Sequence, residues 1–191
     1  MFPAASLQRL IRGRRVGLAC TPAAWWPESG PLEAHLARQA DVRAFLALEH
    51  GLRGELQDGV RFDSYTDART GRPVFSLYGG GQGFPGGFLE AAEVVVFCAQ
   101  DVSHRAYTFH QAMAELLTAA AAAGKPVVVV DRPTPLAHLG AHGPPARQFF
   151  PLELPVVIPW TLGELAHYLV AAQGLRVDLT VIRAAGWRRD R

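Results

Sequence analysis

The sequence predicts an α/β fold, an open, doubly wound and mostly parallel sheet with helices on both faces. Three observations predict it. Strand-like apolar runs alternate with helical patterns along the chain, and right-handed crossovers turn that rhythm into parallel pairing. The runs are continuously hydrophobic, "VVVFC" and "VVVV" above all, so both faces of the sheet should be covered. The length, 191 residues, suits one domain with a sizeable core. Residues 1–191 are therefore read as a single Rossmann-like α/β domain.

Element by element, "RVGLAC" (15–20) is a strand and "PLEAHLARQA" (31–40) a short helix. "VRAFLALE" (42–49) and "PVFSLY" (73–78) are the next strands. A glycine-rich loop and a brief helix near 85–92 lead into "EVVVFCAQ" (93–100), whose β-branched residues favour a strand. An alanine-rich helix over about 104–123 is stopped by Gly124. "KPVVVVD" (125–131) follows, then a long Pro/Gly-rich loop over 132–155, "VVIP", and the helix "TLGELAHYLVAAQ" with Thr161 as its N-cap. "VDLTVIR" closes the sheet. Loops as long as 132–155 are often functional or covering elements.

Composition narrows the function classes. Hydrophobic residues make up 49% and charged residues 19% of an ordinary globular chain with net charge +2. Of 19 basic residues only Lys125 is lysine, which reads as genome bias. The arginines at 9, 12, 14 and 15 and the tail Arg188-Arg189-Asp190-Arg191 are short terminal clusters without interleaved aromatics, so no nucleic-acid partner is expected. No apolar run is long enough to span a membrane. Arginines interrupt the first 20 residues where a leader's apolar core would sit, so the chain as given is expected to be cytoplasmic. Cys20 and Cys98 each close an apolar run as small buried hydrophobes. They can pair only if those strand ends are neighbours.

In an open α/β sheet, ligands bind outside the carboxyl ends of the strands. Three strands end there in Glu49-His50, Gln100-Asp101 and Asp131-Arg132. Any one carboxylate would be read as a turn cap; three together predict a shared binding crevice. Other motifs carry less. Gly81, Gly83 and Gly86 match G-x-G-x-x-G, but Pro85 interrupts the turn and no long helix follows, so no dinucleotide cofactor is expected. His138 and His142 have a helical zinc spacing, yet Gly140, Gly143 and Pro144 argue against a helix, and no metal is expected. Trp25-Trp26 suit either a sugar-stacking platform or ordinary burial. The chemistry candidates thus reduce to carboxylates, which in glycoside hydrolysis serve as proton donor and as nucleophile or base. Phe45, Leu46 and Leu48 offer Glu49 the apolar setting of a proton donor, whereas His50 and Arg53 would hold it ionised; the sequence leaves both open.

These motifs resemble the bacterial exo-β-N-acetylmuramidase family, formerly a domain of unknown function. The matches run in order: "RRVGLACTP", "EHGLRGELQDG", "TGRPVFSLYG", "VVVFCAQDVSHRAYTF", "GKPVVVVDRPTPL", "TLGELA" and "LTVIRAAGWRR". The resemblance implies hydrolysis of terminal N-acetylmuramic acid from peptidoglycan fragments, with a muropeptide or amino sugar as ligand. By position it makes Glu49 the catalytic acid/base, with Asp101 or Asp131 in support. His50, Arg53, Gln100, Arg105, Tyr107 and Arg132 also match, and Arg53, Arg105 or Arg132 would pair with the lactyl carboxylate, as a bidentate guanidinium can. Family members usually carry aspartate at Cys98, asparagine at Thr134 and at Thr21, and an acidic residue near His142. They are longer, with a C-terminal domain beginning near "GWRR", and relatives are often exported. The resemblance therefore implies an N-terminal domain alone, completed by self-association or by a partner subunit. The alternative function is a non-catalytic sugar- or muropeptide-binding relative.

Overall fold

The computed structural model describes residues 4–26, 30–80, 83–148 and 150–189, with the Trp26 side chain not described. Gly81 of the glycine motif and the tail residues Asp190 and Arg191 lie outside that set. Helix α1 (Ala4–Ile11) precedes strand β1 (Arg15–Cys20); a small antiparallel ribbon, β2 (Trp25–Trp26) with β3 (Gly30–Pro31), leads into α2 (Leu32–Gln39). Then come β4 (Asp41–Ala47), β5 (Tyr65–Thr66), β6 (Pro73–Ser76), α3 (Gly86–Ala91) and β7 (Val94–Cys98). Helix α4 (Phe109–Ala122), β8 (Val127–Val130), a 3₁₀ turn (Ala137–Leu139), α5 (Leu162–Gln173) and β9 (Leu179–Ile182) complete the chain.

Seven strands form one sheet in the order β5-β6-β4-β1-β7-β8-β9, every pairing parallel except β5 with β6. The period of two along each strand sorts the core into two layers. Ala19, Leu46, Val95, Phe97 and Val129 pack with Phe88 of α3, Leu116 of α4 and Leu165 of α5. Val16, Leu18, Phe45, Val96 and Val128 pack with Leu7 of α1 and Leu36 of α2 on the other face. The predicted doubly wound α/β sheet is what forms. Gly17 has to be glycine, because a Cβ there would meet Phe88 Cζ at 2.9 Å and Ala92 Cβ at 3.0 Å.

Three expectations are corrected. Helix α1 forms where the sequence reading saw only a basic surface: Leu7 and Ile11, four apart, are buried beneath its arginines. The helix expected from 104 begins at Phe109, because Ser103 takes a left-handed φ of 62° and His104 is bridged antiparallel to Val157. "VVIP" forms no named strand; Val157 bridges His104 and His142 as part of the long loop. The Thr161 cap holds: its hydroxyl accepts from the Glu164 amide while Glu164 accepts from the Thr161 amide, and Gly174 ends α5 in a left-handed conformation.

Candidate active site

Strand order places the connection after β1 and the connection after β7 on opposite windings, so the carboxyl edge of β4, β1, β7 and β8 is the crevice side of the sheet. β4 delivers Glu49 there, half-buried, one residue beyond the fully buried Leu48. The Thr108 hydroxyl donates to Glu49 Oε2. Thr108 occupies the N-cap position of α4, where a threonine normally accepts a backbone amide, yet it makes no side-chain cap bond. Its hydroxyl is diverted to Glu49, and the carboxylate thereby lies at the positive end of a 14-residue helix.

The parallel register of β4 with β6 runs Phe45 to Val74, Leu46 to Phe75 and Ala47 to Ser76. Two residues further, Tyr78 comes alongside Glu49. Burial pushes the Tyr78 phenol up to about 12 against a hydrogen bond with Thr108, and the charges of Glu49 and Glu115 add to the rise. Glu115 and Leu77 also line a groove of about 770 Å³ that runs along α4 past Gln111 and Thr118 and is walled by Phe84 and Phe150.

After Glu49 the chain turns sharply. His50 adopts φ 71° and Gly51 φ 82°, a left-handed pair that a non-glycine residue enters only at a cost of about 1–3 kcal/mol. The loop is then stapled to itself: Leu56 N–H donates to His50 O (3.0 Å) and His50 Nδ1 donates to Leu56 O (3.2 Å). Because a carbonyl only accepts, that bond puts a ring proton on Nδ1. Arg53 anchors the loop from outside, with Nη1 and Nη2 2.6 and 2.9 Å from the two oxygens of the buried Asp67 and Nε 3.8 Å from Glu33. The fork of hydrogen bonds from Arg53 overcomes burial and holds the Asp67 carboxyl at about 2. This closure brings Asp58 back beside its origin, so that one donor atom each of Glu49, His50 and Asp58 lies within 4.8 Å of the others. It is the one His/Cys/Asp/Glu grouping of metal-ligand dimensions among the described residues.

The other predicted residues reach the same edge but serve the scaffold. Asp101 is 3% exposed, its Oδ1 accepting the Ser103 amide at 2.7 Å and its Oδ2 lying 3.5 Å from Nδ1 of the fully buried His110. Asp131, 7% exposed, accepts from Thr161 Oγ1 (2.7 Å) and from the Gly163 amide (2.9 Å), tying β8 to the start of α5; burial raises its pKa. A Cβ on Gly163 would strike the Asp131 carboxyl carbon at 2.7 Å. Both aspartates are thus buried and hydrogen-bonded within the scaffold, and of the three strand-end carboxylates Glu49 is the one half-exposed at the edge. Gln100 Oε1 accepts from Arg132 Nε (2.7 Å) while its amide donates to Pro133 O (2.8 Å), joining the ends of β7 and β8. Arg105 Nη1 donates to Pro144 O and Leu154 O (2.6 and 2.8 Å), holding the long covering loop down. Tyr107 is exposed, edge-on to Phe109.

The cysteines are neighbours: Cys20 and Cys98 stand opposite each other in the register of β1 and β7. Both are buried free thiols. Burial pushes the Cys98 thiol up to about 12, the guanidinium of Arg132 opposing it, and raises Cys20 well above the usual thiol range. His138 and His142 spend a ring nitrogen each on the carbonyls of Pro135 and Leu139 (2.8 and 2.7 Å). In the tail, Arg189 binds Glu164 of α5 (2.7 Å) and lies over the Trp187 ring.

Sequence reasoning missed Thr108, Tyr78, Asp58 and the buried His110. Tyr78 was within reach, since it ends the strand that runs parallel to Glu49's own. Asp58 was not, because its place depends on a loop closure.

Three comparisons bear on this arrangement. Residues 16–191 match the family model described as exo-β-N-acetylmuramidase NamZ, N-terminal. The chain is 33% identical over 189 residues to the peptidoglycan β-N-acetylmuramidase NamZ of Bacillus subtilis (strain 168), covering 95% of this chain and 46% of that protein. Crystal structures of two DUF1343 family proteins from Bacteroides fragilis NCTC 9343 share the fold. One has a TM-score of 0.86 at 28% identity over 98% of this chain and 49% of its own. The other has a TM-score of 0.82 at 24% identity over 99% and 52%. The chain thus spans about half the length of the relatives it matches. Among the described residues no helix is long and apolar enough to cross a membrane.

Proposed function

Since the chain belongs to the NamZ N-terminal family, we propose that it carries the acid/base carboxylate of a glycosidase that removes terminal N-acetylmuramic acid from peptidoglycan fragments. Glu49 is that carboxylate. The observation that supports it is the pairing of Glu49 with Thr108 at the head of α4: one carboxylate oxygen is held by protein, and the group is half-buried at the mouth of the sheet. A half-buried carboxylate of fixed orientation is the geometry that general acid catalysis requires.

In this reading Glu49 gives its proton to the glycosidic oxygen as the bond breaks, then takes a proton from the water that completes hydrolysis. Tyr78, kept neutral by its surroundings to about pH 12, adds a phenol beside the same carboxylate. Arg53 and Arg105 hold loops with their guanidinium groups.

The test is release of the sugar aglycone, a poor leaving group, from an N-acetylmuramyl disaccharide by wild type and by Glu49→Gln. The proposal expects release by the wild type and a loss of about 100- to 10,000-fold in the variant. Thermal stabilisation by the glycoside without any turnover would instead make the chain a sugar-binding relative.

A further inference from the structure

Retaining hydrolysis at Glu49 takes a nucleophile at the anomeric carbon, either the substrate's own 2-acetamido oxygen or a second protein carboxylate, and the two aspartates that the sequence offered, Asp101 and Asp131, are turned into the scaffold. Another carboxylate stands where they do not. Asp58 is exposed, and its oxygen lies within 4.8 Å of the Glu49 carboxylate and of a ring nitrogen of His50.

Nine positions separate Glu49 from Asp58, and the intervening loop is built to bring them together. His50 and Leu56 exchange two hydrogen bonds. Glu55 accepts from the Arg53 amide (2.7 Å) and from the Tyr65 hydroxyl (3.2 Å), so this neighbouring acid is folded into the loop itself. Gly51 sits at φ 82°, a backbone conformation that favours glycine, with the Glu55 carboxylate packed close against it. Asp58 then precedes Gly59, whose φ of 70° turns the chain away. Within the loop, Glu55 is spent on closure and Asp58 is presented to solvent beside Glu49.

We propose that Asp58 is the nucleophile that works with Glu49, and that the reaction proceeds with retention; the inference rests on the reading of Glu49 as acid/base. One oxygen of each carboxyl group lies within 4.8 Å of the other, close enough for both groups to act at one anomeric centre, and displacement by a carboxylate nucleophile followed by water retains configuration. In the first step an Asp58 oxygen bonds to the anomeric carbon while the bond from that carbon to the leaving oxygen breaks. Glu49 supplies the proton, and the aglycone departs as an alcohol. In the second step Glu49 takes a proton from water, the water oxygen bonds to the anomeric carbon, and the ester to Asp58 breaks, restoring both groups. The sum is glycoside plus water to sugar plus alcohol.

The experiment compares wild type, Asp58→Asn, Asp58→Glu and Asp58→Ala on a chromogenic N-acetylmuramide, with the first-formed anomer followed by NMR and sodium azide added to the alanine variant. Expected are a loss of at least about 100-fold in Asp58→Asn, a first product of unchanged β configuration, and azide rescue of Asp58→Ala that yields the α-glycosyl azide. Circular dichroism of the variants should match wild type, since Asp58 is exposed. Turnover by Asp58→Asn within about threefold of wild type, or an inverted first product, overturns the role of Asp58 and leaves Glu49 standing. Activity abolished by EDTA and restored by Mn²⁺ also overturns it, by giving the three donors to a metal ion. A wild type without turnover overturns the Glu49 reading, and this inference with it.

Discussion

Thr108 donates its hydroxyl to Glu49 across 59 residues of sequence, although its position at the head of α4 is one where threonine ordinarily caps its own helix. Since no cap bond exists to lose, removing the hydroxyl should cost catalysis more than stability. Thr108→Val is predicted to lower kcat on a chromogenic N-acetylmuramide about tenfold or more, with a change in unfolding free energy below about 1 kcal/mol. Thr108→Ser should recover most of the rate. Equal rates in all three proteins would remove Thr108 from the site.

Tyr78 supplies a pH signature. Its phenol stands near 12 because it is buried and faces the charges of Glu49 and Glu115. A spectrophotometric titration at alkaline pH should therefore show two late-ionising tyrosines, Tyr65 and Tyr78, of which one disappears in Tyr78→Phe. In Glu49→Gln one of the opposing negative charges is gone, so the same phenol should ionise at lower pH. An unchanged titration in Glu49→Gln would mean that the two side chains do not sense each other.

The loop that carries the site should depend on Arg53. Asp67 is held at about 2, below its ordinary 3.8, by the Arg53 fork. The folded value lies below the unfolded one, so this stabilisation is complete above about pH 4 and is lost as pH falls through about 2. Arg53→Ala should leave the nearly buried Asp67 unpaired and cost toward the low end of about 3–5 kcal/mol at neutral pH. Its stability should also vary less between pH 4 and 2 than that of the wild type, as chemical denaturation at a series of pH values would show.

The thiols of Cys20 and Cys98 are buried opposite each other, with Cys98 pushed up to about 12. Thiolates are the reactive species. Both residues should resist iodoacetamide in the native protein at neutral pH and react once it is unfolded. Fast labelling of either in the native state would contradict their burial.

The sheet was legible because continuous apolar runs such as Val94–Cys98 and Val127–Val130 admit one reading, a strand covered on both faces. Thr161 with Glu164 was legible for the same local reason: a capping box is complete within four residues. The carboxyl edge was legible too, since strand polarity alone brings Glu49, Asp101 and Asp131 to it. What strand polarity leaves open is the direction in which each side chain turns. Asp131 turns into α5 because Gly163 leaves it room, and Asp101 turns into the backbone of Ser103. Asp58 escaped notice because its distance from Glu49 is set by the left-handed His50 and by the Arg53–Asp67 pair, neither of which a local pattern encodes. Helix α1 was hidden by arginines, whose charge drew attention away from Leu7 and Ile11.

The central claim is that Glu49 protonates the departing oxygen, and leaving-group dependence tests it most directly. The kcat/KM of wild type and Glu49→Gln should be compared on N-acetylmuramides of a good leaving group, dinitrophenol, and of a poor one, a sugar alcohol. A proton donor predicts a small loss with dinitrophenol, which departs unaided, and a loss of about 100- to 10,000-fold with the sugar. Equal losses with both leaving groups, or none with either, would contradict it.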